Sequence, residues 1–164
     1  MQDMIVVAPQ LSGWDETSAD QTIALTEYFL ANYNIDESRV YGEGYSGGGE
    51  TMSLVMGKRP ELFTAYLQCS SQWDGDYAPV IKNKTPVYFV IGEDDEYYGS
   101  EPTREAYETL HDMYMEEGLT EEEINELLVL DIKGGDYFSG LSYQHGGGNL
   151  FAADEEIMGW LFSK

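Results

Sequence analysis

The chain has 164 residues, 42% of them apolar, and a formal net charge of −23 from 31 acidic and 8 basic side chains. That is one domain's length with enough apolar chain for a core, which excludes disorder by composition, and so negative a surface repels nucleic acid and anionic membranes. Cys69 is the only cysteine, which excludes an internal disulfide and a cysteine-rich metal site.

The acidic balance also keeps a protein soluble, and a salt-adapted host would select the same bias. Cys69 lies in an apolar run and reads as a small core residue. The sequence carries no secretion signal and no apolar run long enough to span a membrane. It opens within three residues of a strand-like run, so a leader or preceding segment could have been removed. Secreted and cytoplasmic locations both fit.

Strand-like and helix-like patterns alternate, without internal repeats or a low-complexity linker. The order predicts an α/β fold in one domain over 1–164, with a mainly parallel sheet of about five strands flanked by helices. "MIVVAP", 4 to 9, reads as a buried strand stopped by Pro9. Ser18 and Gln21 form a candidate capping box for a helix to about Asn32, with Ile23, Leu30 and Tyr33 on one face. "SRVYGEG", 38 to 44, is a short strand, and a helix follows Ser46 to about Met56 before Gly57 and Pro60 stop it. "FTAYLQCS", 63 to 70, and "TPVYFVIG", 85 to 92, are the next strands. A helix from about Pro102 to Glu117 is closed by Gly118, and Thr120 with Glu123 suggests a capping box for a short acidic helix. "LLVLDI", 127 to 132, is the last strand, a glycine-rich loop spans Gly134 to Asn149, and a helix from about Ala153 to Phe162 ends the chain.

Between the second strand and its helix stands Gly44-Tyr45-Ser46-Gly47-Gly48, a G-x-S-x-G sequence in the strand–turn–helix context that this motif requires. So sharp a turn strains the serine backbone and projects its hydroxyl from the end of the sheet. Gly44 and Gly48 are expected where larger residues would crowd the turn. The Gly47 N–H is expected to face a developing oxyanion.

A serine hydroxyl is a weak nucleophile until a base takes its proton. The sequence has two histidines. His111 lies inside a predicted helix. His145 lies in the loop between the last strand and the last helix, where a Ser, acid, His order places the base. "IGEDDEYYG" after the 85–92 strand offers Glu93, Asp94, Asp95 and Glu96 as the acid, whose task is to hold the imidazole tautomer and stabilise the imidazolium. Ser46 to Asp95 is 49 residues and Asp95 to His145 is 50, and both gaps fit one strand–helix unit with loops. His145-Gly146-Gly147-Gly148 looks like an HGGG oxyanion motif, but it stands 99 residues after Ser46 instead of before it. It reads as the base with a flexible glycine tail.

These residues make the sequence resemble the α/β-hydrolase superfamily, and most of all its polyhydroxybutyrate-depolymerase-like and feruloyl-esterase-like branch of esterases and related peptidases. The resemblance is carried by "DESRVYGEGYSGGGETM", "KRPELFTAYLQCSS", "KTPVYFVIGEDDEYYG" and "YQHGGG", and covers most of the chain from about Ile5. It implies that the fourth position of the G-x-x-D turn, Asp95, is the acid, with Asp94 second. "HGGGNLF" lacks the tryptophan that often follows the histidine in this group. The segment Thr120 to Leu127 reads as an insertion. The complete fold has about three strands and a helix before "MIVVAPQ", so the resemblance implies an N-terminally truncated α/β-hydrolase fold. In the family an absent strand runs between the equivalents of 4 to 8 and 39 to 43, and its following loop supplies a second oxyanion N–H. Here those two segments are expected to pair directly or to leave a gap.

Strand-end loops should line the pocket, which nominates Gln10, Trp14, Tyr45, Gln72 and Trp73 as substrate-binding residues, with Tyr97 and Tyr98 after the acid. The aromatics suit a flat or apolar ester. The reading is a serine hydrolase of carboxylic esters acting on a small-molecule substrate, without cofactor or metal. A serine peptidase, and an incomplete domain acting as an interaction module, are the alternatives. An exposed sheet edge would favour a homo-oligomer.

Overall fold

A computed structural model describes residues 4–164. Within them four parallel strands, β1 (Tyr41–Tyr45), β2 (Ala65–Cys69), β3 (Val87–Gly92) and β4 (Leu128–Lys133), lie side by side in chain order. Tyr41 stands opposite Ala65, Tyr66 opposite Val87, and Val87 opposite Leu128. Every residue of β2 and β3 is buried, as befits the middle strands of a parallel sheet covered on both faces.

Parallel neighbours need crossover connections, and such connections are right-handed. Because strand order advances steadily, the linking helices fall on one face. These are α2 (Gly47–Met56), α3 (Ala78–Asn83), α4 (Glu101–Glu116) and α5 (Glu121–Leu127), joined there by α1 (Glu16–Asn32). Val55, Met56, Val80, Leu110, Tyr114 and Ile124 pack there against Tyr66, Val87 and Phe89. The alternate residues Leu67, Cys69, Tyr88 and Val90 face the other way, onto Phe138, Phe151 and the α7 (Glu155–Phe162) residues Ile157 and Leu161.

The structure corrects the expected elements in four places. Residues 4 to 9 form no strand and do not pair with 39 to 43. They run beside a groove of about 640 Å³ lined by α1, the free side of β1 and α7, and Val6 is 80% exposed. The sheet therefore has four strands among the described residues, and the gap stays open. The N-cap of α1 is Asp15, whose carboxylate accepts the Ser18 N–H at 3.1 Å, while Ser18 is itself buried. Tyr33 lies past the end of α1 and is half exposed. Finally, residues 145–147 form a tight turn that runs into α6 (Gly148–Phe151), with Gly147 and Gly148 buried, so the glycine run is folded chain and not a loose tail. The α5 capping box is as expected: the Glu123 N–H donates to Thr120 Oγ1 at 3.3 Å, and the Thr120 N–H to Glu123 Oε2 at 2.8 Å. No described helix is long and apolar enough to cross a membrane.

Candidate active site

β1 ends in Tyr45 and α2 begins at Gly47, so Ser46 has to reverse the chain within one residue. Its φ of 54° and ψ of −131° are sparsely populated for a residue with a side chain, a strain of about 1–3 kcal/mol. The surroundings hold it there. The Ser46 N–H donates to the Cys69 carbonyl at 3.1 Å. The Ser46 carbonyl accepts from the N–H groups of Gly49 and Glu50, at 2.8 and 3.2 Å, and from the buried Ser71 hydroxyl at 2.7 Å.

The turn is crowded at Gly44, where a Cβ would lie 2.7 Å from Gly49 Cα, and at Gly49, where it would meet the Ser71 side chain. Gly48 has open space instead, which corrects the expectation that it must be glycine for want of room. At Gly47 a Cβ would overlap the Trp14 indole. Gly47 is the first residue of α2, so its N–H is one of the donors that a helix start leaves unpaired.

Ser46 Oγ lies 3.0 Å from His145 Nε2. His145 Nδ1 lies 2.9 Å from Asp95 Oδ2 and 3.1 Å from Oδ1. With the Nδ1–H on the carboxylate, Nε2 is left as the acceptor for the serine proton. Asp95 sits just after β3, 4% exposed, and its Oδ1 accepts the backbone N–H groups of Tyr97 and Tyr98 at 3.0 and 2.9 Å. Asp94, the second candidate acid, is exposed, and its N–H donates to Gln144 Oε1 at 2.9 Å.

Aromatic rings bracket the histidine. Tyr45 and Tyr97 stack on its ring at centroid distances of 5.4 and 5.3 Å, and the Tyr45 hydroxyl donates to the His145 carbonyl at 2.5 Å. Burial, and next the nearby Asp95 charge, push the Tyr45 phenol above its ordinary range, so it remains a donor. Three further residues have roles that the sequence did not indicate. Glu96 accepts the N–H groups of Gln144 and His145, and these bonds, His145's first, hold its carboxyl below the usual glutamate value. Gln144 ties the two loops, and Ser71 braces the elbow. An acidic run gives no sign of which member turns inward, and a serine after a strand has no signature of its own.

The other expected pocket residues are distributed. Gln10 and Trp14 line a hollow with residues 9 to 13, and the indole covers Gly47. Gln72 is engaged with Asp74 at 3.0 Å. Trp73 packs into the core, stacked on Tyr77 at 5.5 Å and beside Phe89, with its N–H on the Gly75 carbonyl at 2.9 Å. That contact set, partly buried against the core, replaces the expected pocket-wall position. Among the described residues no three His, Cys, Asp or Glu side chains are grouped to hold a metal ion.

Residues 12–115, more than half of the chain, match the prolyl oligopeptidase family. No curated protein matches the chain. Among solved structures the chain is similar to a thermostable esterase, with a TM-score of 0.74 and 23% identity over 94% of this chain and 41% of that one. It is also similar to SOBER1 of Arabidopsis thaliana, with a TM-score of 0.61 and 16% identity over 88% of this chain and 61% of that one. Oligopeptidase B of Trypanosoma brucei, solved with covalently bound antipain, gives a TM-score of 0.53 and 19% identity over 87% and 24%. The fold is that of the α/β-hydrolase superfamily, as the sequence implied. The chain spans about two fifths of the esterase's length and about three fifths of SOBER1's.

Proposed function

This chain belongs to the prolyl oligopeptidase family, and we propose that it is a serine hydrolase that cleaves carboxylic esters through an acyl-enzyme on Ser46. The observation that carries the reading is the unbroken line from Ser46 Oγ through the His145 ring to Asp95, mounted on a strained elbow.

Ser46 Oγ attacks the carbonyl carbon while His145 Nε2 takes its proton. The carbonyl π pair moves onto oxygen, where the Gly47 N–H meets the charge. Asp95 stabilises the imidazolium. The tetrahedral adduct collapses, the C–O bond to the leaving group breaks, and His145 returns the proton to the departing alkoxide. Water then gives a proton to His145 and attacks the acyl carbon. Collapse releases the acid and restores the Ser46 hydroxyl.

An ester suits this site because its alkoxide departs more readily than an amine, which must be protonated first. It therefore demands less of the oxyanion donors. Tyr45, Tyr97 and Trp14 offer flat apolar surface to an acyl or aryl group. A fluorophosphonate probe should label the wild-type protein at Ser46, and Ser46→Ala should lose both labelling and turnover of a short-chain aryl ester while keeping its fold. Near wild-type turnover in Ser46→Ala would remove the reading. A folded wild-type protein whose Ser46 resists the probe would carry a dead or incomplete site, as the interaction-module alternative requires.

Family membership favours a second reading, a peptidase working by the same steps with an amine as leaving group. The ratio of kcat/KM for a matched ester and anilide of one acyl group separates the two.

A further inference from the structure

The acid loop and the nucleophile helix are tied together at Tyr98. Its backbone N–H donates to Asp95 Oδ1 at 2.9 Å, and its ring lies 5.6 Å from the His145 ring. Its hydroxyl donates to Glu50 Oε1 at 2.5 Å. Glu50 belongs to the first turns of α2, and its own N–H donates to the Ser46 carbonyl at 3.2 Å. The contacts close a circuit: Ser46 to His145, His145 to Asp95, Asp95 to Tyr98, Tyr98 to Glu50, and Glu50 back to Ser46.

We propose that Tyr98, anchored by Glu50, is a positioning residue for the reaction, locking the Asp95 loop to the start of α2. The inference rests on Ser46 being the nucleophile. Burial, and next the hydrogen bond to the Glu50 carboxylate, hold the Tyr98 phenol well above its ordinary range, so it stays protonated. The phenol proton is committed to Glu50 and the Ser46 proton to His145, so no proton passes between Tyr98 and Ser46. Tyr98 keeps the acid and the nucleophile in one frame, so less ordering is left to the moment of attack.

Tyr98→Phe isolates this role. It keeps the ring beside His145 and the N–H on Asp95, and deletes one O–H. For an aryl ester, kcat should fall about tenfold, the scale of one hydrogen bond to a charged group, with KM within about twofold. The rate of fluorophosphonate labelling at Ser46 should fall by the same factor. Glu50→Ala should behave alike, and Glu50→Gln, which keeps an acceptor oxygen, should lose less. The double variant Tyr98→Phe/Glu50→Ala should be no slower than the slower single one, because both remove the same link. A purely structural contribution would lower Tm and leave the turnover per labelled site unchanged. Wild-type kcat in Tyr98→Phe, or losses that simply multiply in the double variant, would overturn the proposal. If Tyr98→Phe fails to fold, Glu50→Ala reads the same link from the helix side. An unlabelled wild type removes both this inference and the nucleophile reading, whereas a labelled wild type with an equally fast Tyr98→Phe removes this inference alone.

Discussion

Glu96 Oε2 accepts the backbone N–H of His145 at 3.1 Å, so the residue beside Asp95 grips the main chain of the histidine whose ring Asp95 holds. One short turn after β3 thus fixes His145 twice, by its ring and by its backbone.

This grip has a pH dependence of known sign. The Glu96 carboxyl is held below its ordinary value of 4.5, chiefly by the His145 and Gln144 N–H groups. A depressed carboxylate contributes stability that is complete above its unfolded value and is lost as pH falls through the folded one. The Tm difference between the wild type and Glu96→Gln should therefore be largest near neutrality and shrink as pH falls below 4.5 through the lowered folded value. A difference unchanged across that range would mean that Glu96 acts through something other than its charge.

The choice between the two aspartates is equally testable. Asp95 is buried on the histidine and fed by two backbone donors, whereas Asp94 faces solvent. Asp95→Asn should lower kcat by roughly 10³ or more, since the amide can hold the wrong tautomer, and Asp94→Asn should cost far less. The reverse ranking would move the orienting role to Asp94.

The choice of aspartate was open to a sequence pattern and the Glu96 grip was not, and the line between what the pattern carries and what it does not is physical. Ser46, Asp95 and His145 could be placed together because each follows a strand of one parallel sheet, and strand ends share an edge. β3, VYFVIG, is rich in β-branched and aromatic residues, and "MIVVAP" is as rich in β-branched ones, yet it is not a strand here. A strand needs a partner for its hydrogen bonds, and composition cannot report whether one is present. α3 was hidden by Pro79, which reads as a stop yet is tolerated in a first helical turn, where its missing N–H is not needed. Trp73 looked like a pocket wall because it follows β2 closely. It packs instead against Tyr77 and the core, and nothing in the local sequence chooses between the two directions.

The last expectation concerns charge. Hydrolysis creates a carboxylate in a protein of net charge −23. The field is also local. Burial first, and the neighbouring Glu50 second, push the Asp74 carboxyl upward, while Glu96 sits against the histidine loop. A negative site should repel an anionic substrate on approach and speed the departure of an anionic product. Between exposed charges that repulsion acts over about one Debye length, roughly 30 Å at 0.01 M salt and 10 Å at 0.1 M. Raising salt across that range should therefore increase kcat/KM for an ester bearing a carboxylate, and leave a neutral ester of the same acyl group nearly unchanged. The comparison of two esters removes any general effect of salt on the fold, since such an effect would move both. Equal responses would show that the acidic surface has no part in substrate selection and serves solubility alone.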